Sequence, residues 1–253
     1  MPSTLSFLPV PGLPRVQPGD DLAALIGAAL AVAGITLGDG DLLAVTQKIV
    51  SKAEGRLRRL DAVVPSARAR ELAAGTAKDP RLVELILEES RGVVRTRRDL
   101  IITEHRLGLV LANAGIDRSN VDDGEETVLL LPEDPDASAR RLRAELVATS
   151  GARIGVIITD SLGRAWRKGT VGVAIGTAGV APFVDLRGRT DLNGRALQVS
   201  EIAPADSLAA AAVLLMGEAA EGTPVVLIRG AALDASDAPA SAVLRPAADD
   251  LFR

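Results

Sequence analysis

The sequence predicts an α+β fold, with mixed sheets and flanking helices. Three observations carry that prediction. Apolar runs such as Leu42 to Val45 and Val225 to Ile228 have strand length. Other segments repeat apolar residues at helical spacing. The two kinds do not alternate cleanly along the chain, as a doubly wound α/β fold would require.

The elements follow in order. Phe7 to Val10 reads as a short strand running into "PVPGLP", whose prolines and glycine set an extended or turning path. Asp20 and Asp21 precede Leu22, Leu25, Ile26, Ala29 and Leu30, with Gly34 beyond, the pattern of a capped amphipathic helix with a glycine stop. Leu42 to Val45 reads as a buried strand, and "TQKIVSKAEGR" after it as a short helix. Residues 66–75 and 80–89 have helical spacing. Ile101 to Glu104 and Leu107 to Leu111 read as strands parted at His105-Arg106. Residues 115–127 form a polar, acid-rich loop, and Val128 to Leu131 another strand. Asp136 is placed as the cap of a helix from about Ala137 to Val147. Strands are expected at 153–159, 171–175 and 182–186, a helix at 206–219, and a last strand at Val225 to Ile228. Residues 231–253 are weakly patterned. The expectation is one domain over 1–253, with sub-domain limits near 60–70 and 110.

Composition excludes several classes of function. Of 253 residues, 47% are hydrophobic and 25% charged, which suits a folded core rather than a disordered chain. With no cysteine and one histidine, thiolate chemistry and a multi-histidine zinc site within one chain are excluded. Any metal must be held mainly by oxygen ligands, which suits Mg2+, Mn2+ or Ca2+. A net charge of −4 gives no bulk basicity to suggest nucleic acid. The opening residues lack a basic-then-apolar leader, and Leu208 to Met216 falls well short of the roughly 18 apolar residues of a membrane span. The expectation is a cytoplasmic protein with no membrane contact.

The stretch "VIITDSLGRAWRKG" (156–169) concentrates chemistry. An acid beside a hydroxyl, Asp160-Ser161, suits either a hard divalent metal or a helix N-cap. Arg164, Arg167 and Lys168 suit carboxylate or phosphate oxygens, or form a solvated turn. Trp166 either packs or covers a site. "GRAWRKGT" is not a phosphate-binding P-loop, because its lysine precedes the second glycine; "GVAIGTAG" lacks the dinucleotide spacing. Asp117 and Asn120 form either a ligand pair or a turn. Lys48 and Lys52, four apart, share one helix face that could meet phosphates or simply be solvated. His105 shows no partner and reads as structural.

Several collinear motifs make the chain resemble the GTP-dependent coenzyme F420-0:L-glutamate ligases, the gamma-glutamyl ligases of F420 biosynthesis. They are "LPVPGLPRVQPGDDL", "LLAVTQKIVSKAEGRL", "ITEHRLGLVLANAGIDRSNV", "LLPEDPDASA", "VIITDSLGRAWRKGTVGVAIG" and "GEAAEGTPVVLIRG", spanning about residues 6–230. The resemblance implies an unusual non-P-loop nucleotide-binding fold and an intertwined homodimer. It implies GTP as co-substrate, L-glutamate and coenzyme F420-0 or a precursor as substrates, and Mn2+ or Mg2+ with K+ as cations. By the same resemblance, Leu13, Pro14, Arg15, Val16, Gln47, Lys52 and Asn120 match nucleotide contacts. Asp117, Asp160 and Ser161 match metal-binding positions, Ser161 standing where some members have threonine. Asp160, Ser161 and Lys52 are thus the expected catalytic set; Arg164, Arg167 and Lys168 are assigned to anionic substrate from charge and position alone. Some relatives carry a C-terminal nitroreductase-like domain, which residues 1–253 do not contain. Three other readings stay open: a ligase of the same fold for another carboxylate, a GTP-binding regulatory module without catalysis, and a metal-dependent phosphohydrolase that releases phosphate from GTP without glutamate.

Overall fold

The computed structural model describes residues 4–119 and 126–251. Its centre is a five-stranded sheet of β1 (Ser6–Pro9), β2 (Leu42–Thr46), β8 (Gly155–Gly163), β9 (Thr170–Ala178) and β12 (Val225–Arg229), in the order β1-β12-β2-β8-β9. Only β2 and β8 run parallel; β1–β12, β12–β2 and β8–β9 are antiparallel. The apolar runs Leu42–Val45 and Val225–Ile228 are fully buried because the sheet is covered on both faces. One face packs against α1 (Leu22–Val32), α2 (Gln47–Ala53) and α5 (Pro135–Ser150); the other packs against α6 (Pro204–Met216).

A second hydrophobic cluster system lies under α3 (Ala67–Thr76) and α4 (Pro80–Glu88). Beside it lies the three-stranded sheet β4 (Ser90–Arg97), β5 (Leu100–His105) and β6 (Val110–Ala112), whose Val93 and Ile101 join this cluster while Leu111 joins the main core. The ribbon of β3 (Leu57–Arg59) and β7 (Thr127–Leu129) joins it to the main sheet. A two-residue pairing of β10 (Val184–Asp185) and β11 (Glu201–Ile202) completes the strands among the described residues. The architecture is the expected α+β, with mixed sheets and helices.

A buried ion cluster ties the two parts together. Glu89, just past α4, accepts from Arg56 Nη2 at 2.9 and 3.0 Å and from Arg106 Nε at 3.1 Å. The arginines in turn donate to the carbonyls of Leu131, Pro132 and Glu133, on the path from β7 to α5. His105, fully buried, accepts from Leu107 N at 3.1 Å through Nδ1, so its Nε2 carries the proton and faces Glu89 Oε2 at 3.4 Å. That distance is too long for an ordinary hydrogen bond. The histidine is structural as expected, but it does have a partner, on an element distant in sequence. Burial pushes the Glu89 carboxyl up; His105, Arg56 and Arg106 outweigh it and hold the carboxyl at about 2.

Several expectations need correction. Strand 153–159 does not end at Asp160: β8 runs on to Gly163 and pairs with β9 as a hairpin, Asp160 opposite Val173 and Ser161 opposite Gly172. No helix follows, so Asp160-Ser161 caps nothing. The extension was hidden because β2 stops at Thr46, opposite Thr159, and the residues of β8 beyond that point are only half-buried or exposed, so polar residues interrupt the apolar run. Trp166 is not a core residue: it is 88% exposed at the hairpin tip, with φ +66°. The α5 cap is Asp134, whose side chain accepts from Ala137 N, with Pro135 at the first position. Asp136 instead lies in the first turn and accepts from Thr177 N and Ala240 N, pinning the C-terminal segment to β9.

β6 begins at Val110 rather than Leu107, and α6 stops at Met216 rather than 219. β3 and β4 are additional; "SRGVVRTR" is an exposed edge strand whose arginines obscure any alternation. Glycines in "GTVGVAIGTAG" are explained by packing. A Cβ on Gly172 would lie 2.5 Å from Ala209 O of α6, and one on Gly176 2.4 Å from Pro135 O of α5. A bulge at Ile175 turns these two glycines to opposite faces.

Candidate active site

A cavity of about 400 Å³ opens at the end of β2, beside Thr159 to Ser161 of β8. Its walls come from five separate segments: Leu13 to Val16, the start of α2, Thr159 to Ser161 of β8, the last turn of α6, and the loop 217–224. Prolines fix the first wall, since Pro11 and Pro14 restrict the chain that crosses the sheet end. The loop after α6 depends on Gly217, at φ +73° and ψ 173°, a conformation open essentially to glycine alone. There the Glu221 carboxylate accepts from Ala219 N at 2.8 Å, holding the loop in shape.

Because β8 outruns β2, one edge of β8 at Asp160-Ser161 faces the cavity instead of another strand. Asp160 Oδ1 accepts from Ser161 N at 2.9 Å. Ser161 Oγ donates to Glu218 Oε2 at 3.0 Å, leaving the hydroxyl lone pairs for another partner. Burial drives the Asp160 carboxyl up; the Ser161 amide opposes it, Asp117 adds to it, Lys48 opposes and Glu218 adds, for a value of about 7.

Lys48 and Lys52 both line the cavity from one face of α2. Lys48 Nζ lies 2.8 Å from Asp117 Oδ2 and donates to Ser119 Oγ at 2.8 Å. Asp117 Oδ1 accepts from Ser119 N at 2.7 Å and Ser119 Oγ at 2.8 Å. Its backbone bridges Leu129 with hydrogen bonds of 2.9 and 2.8 Å, which fixes the residue against β7. Burial presses its carboxyl upward, but Lys48 and Ser119 prevail and hold it below the ordinary aspartate value.

Leu13, Pro14, Arg15, Val16, Lys52, Asp160 and Ser161 meet at the one cavity. Asp117 reaches it through Lys48. Gln47 is buried in the first turn of α2, where its Oε1 accepts from Ser51 Oγ at 2.9 Å, and it is not part of the cavity wall. Arg164, Arg167 and Lys168 are exposed at the β8–β9 tip, outside the wall. Asn120 lies outside the described residues. Glu218 was missed; its signal was an acid directly after the glycine that ends a long apolar helix, in "GEAAEG".

The donor set suits a hard cation. A hydroxyl oxygen and carboxylates, one of them raised by burial and then by negative neighbours, are oxygen donors of the kind a divalent ion takes. Among the described residues no three ligating groups are already gathered. No helix among the described residues is long and apolar enough to cross a membrane.

The sequence matches the family described as F420-0:Gamma-glutamyl ligase over residues 12–230. It is 48% identical to the Coenzyme F420:L-glutamate ligase of Methanothermobacter thermautotrophicus over 251 residues, 98% of this chain and 99% of the relative. Identity to the protein of that name from Methanopyrus kandleri is 50% over 254 residues, covering 99% and 98%. Against that of Archaeoglobus fulgidus it is 46% over 226 residues, covering 89% and 88%. A match of this extent and identity places the chain in the F420-0:gamma-glutamyl ligase family.

Proposed function

We propose that this chain is a coenzyme F420:L-glutamate ligase that uses GTP to join L-glutamate to the terminal carboxylate of F420-0, then adds further glutamates through γ-linkages. The observation that carries the reading is the convergence of Leu13–Val16, Lys52 and Asp160-Ser161, from three distant segments, on one cavity. A free carboxylate is a poor acyl donor, so ligation needs activation. The F420-0 carboxylate attacks the γ-phosphorus, the bond to the β-phosphate oxygen breaks, and GDP leaves. The glutamate amine then attacks the acyl carbon of the mixed anhydride, phosphate departs with the C–O electron pair, and the amine gives up its proton.

The chain's own residues supply binding and charge. Arg15, Lys48 and Lys52 bring positive charge to a cavity that would receive a triphosphate. Leu13, Pro14, Val213 and Met216 offer apolar surface to the nucleotide. Asp160, Ser161 Oγ and Asp117 would hold Mn2+ or Mg2+, which when bound supplies positive charge against the phosphate oxygens. Asp160, whose carboxyl burial raises to about 7, would be the ligand whose charge such an ion favours most. Arg164, Arg167 and Lys168, on the hairpin beyond, would meet the anionic tail of the F420 substrate. The same reading includes a homodimer.

The test is product mass after incubation with F420-0, GTP, L-glutamate and Mn2+. Stepwise glutamyl additions that need all four components support the reading. Phosphate release without glutamate, and no glutamyl product, refutes it in favour of a phosphohydrolase. GTP binding with no turnover refutes it in favour of a regulatory module.

A further inference from the structure

We propose that Lys48 is an exchangeable counterion: it holds Asp117 until a divalent cation takes that carboxylate, and the released ammonium then adds to phosphate binding in the cavity. This rests on the reading above in which Asp117 serves the metal.

The geometry points to an exchange because Asp117 has little else to offer. Its backbone is fixed by two hydrogen bonds to Leu129, so the carboxylate cannot retreat. Oδ1 is engaged by the amide and hydroxyl of Ser119. Oδ2 carries Lys48 Nζ at 2.8 Å. A cation that approaches Asp117 at Oδ2 therefore meets a positive charge already in place, and Lys48 must move for it to bind.

Lys48 is suited to moving. Its side chain is 30% exposed and that of Asp117 22%, so water reaches the pair and can take over its hydrogen bonds when it opens. Lysine makes a point contact from a flexible stem, whereas an arginine would be forked onto the carboxylate. Its other hydrogen bond is to Ser119 Oγ, a neutral hydroxyl that water replaces readily. Once free it has a destination, because Lys48 already lines the cavity one turn before Lys52 on the same helix face. The cation and the nucleotide are then coupled through one side chain, each making room for the other.

The experiment compares wild type with Lys48→Gln and Lys48→Met. Mn2+ binding to nucleotide-free protein is read by electron paramagnetic resonance, and GDP binding by calorimetry with and without Mn2+. Without the competing ammonium, Mn2+ binds about tenfold tighter in the variants, equivalent to about 1.4 kcal/mol. GDP affinity falls about tenfold with Mn2+ present and less than about twofold without it, since Lys48 is engaged elsewhere in the metal-free protein. Equal or weaker Mn2+ binding in the variants overturns the proposal, as would be the case for a pair that merely orders Asp117. So does a GDP loss of the same size with and without Mn2+, which marks fixed charge rather than exchange. Wild type that binds no Mn2+ overturns the metal reading itself, and this inference with it. Should the variants not fold, wild type with 13C-dimethylated lysines, titrated with Mg2+, gives the answer: a Lys48 signal that does not shift overturns the proposal.

Discussion

Replacing Glu89 with glutamine tests the electrostatic bolt between the two parts of the molecule. The carboxylate accepts from Arg56 and Arg106 and is faced by His105. These partners hold it at about 2 instead of the ordinary 4.5. At 1.36 kcal/mol per pH unit that gap is worth about 3 kcal/mol, and solvent at the partly exposed Arg106 reduces it to about 2 kcal/mol. The sign follows from a depressed native value. The stabilisation is complete above about pH 4.5 and is lost as the pH falls toward about 2. Urea unfolding of wild type and Glu89→Gln at a series of pH values reads it directly. The variant should be less stable by about 2 kcal/mol at pH 7, with the difference under half of that near pH 2.5. A gap that stays constant from pH 7 to 2.5, or one below about 0.5 kcal/mol at pH 7, refutes the argument. Because Arg56 and Arg106 also hold the carbonyls leading from β7 into α5, the variant should show faster amide exchange at Leu130 and Leu131.

Other outcomes follow from the site and its packing. Asp160→Ala should lower glutamyl ligation at least about 100-fold while leaving the fold intact, as read by product mass and melting temperature; near wild-type turnover removes the metal role from this residue. Gly217→Ala forces a side chain into a glycine-only conformation and against Glu221, and should cost about 1–3 kcal/mol in thermal unfolding and weaken GDP binding. Gly176→Ala drives a methyl into the Pro135 carbonyl and should destabilise by about 1–3 kcal/mol or more in urea unfolding, without a specific effect on metal binding. Replacing Arg164, Arg167 and Lys168 together with serine should leave stability within about 0.5 kcal/mol and raise the KM for the F420 substrate more than that for GTP; an unchanged KM ends their assignment to the anionic tail.

Elements that bury a face were legible in the sequence, and those that do not were hidden. The strands β2 and β12 announced themselves because both faces are covered, and α1 did so through Asp21 and its apolar stripe. The edge strand β4 is mostly exposed and the outer half of β8 only half-buried, so arginine, serine and aspartate break up any apolar imprint there. The cap of α5 was displaced by two residues because two aspartates flank Pro135; the preference of proline for the first helical position distinguishes them. At the site, the wall residues Leu13–Val16, Lys52 and Asp160-Ser161 were legible through motif resemblance. The Lys48–Asp117 pair was not, because it joins a helix to a loop far along the chain and only the β7 bridge brings them together. Glu218 lies in a motif that was seen, yet its partnership with Ser161 depends on where α6 stops.

The β8–β9 hairpin has a mechanical consequence. Its ladder is unbroken from Asp160 opposite Val173 to Gly163 opposite Thr170, so no joint separates the carboxylate from the tip that carries Arg164, Trp166, Arg167 and Lys168. Load applied at the tip, by substrate or by another chain, travels along paired strands straight to the cavity edge. The opposite wall, built on Gly217 and loop 217–224, has no such ladder behind it. The pocket is therefore one stiff jaw facing one compliant jaw, and the stiff one is fitted with a handle.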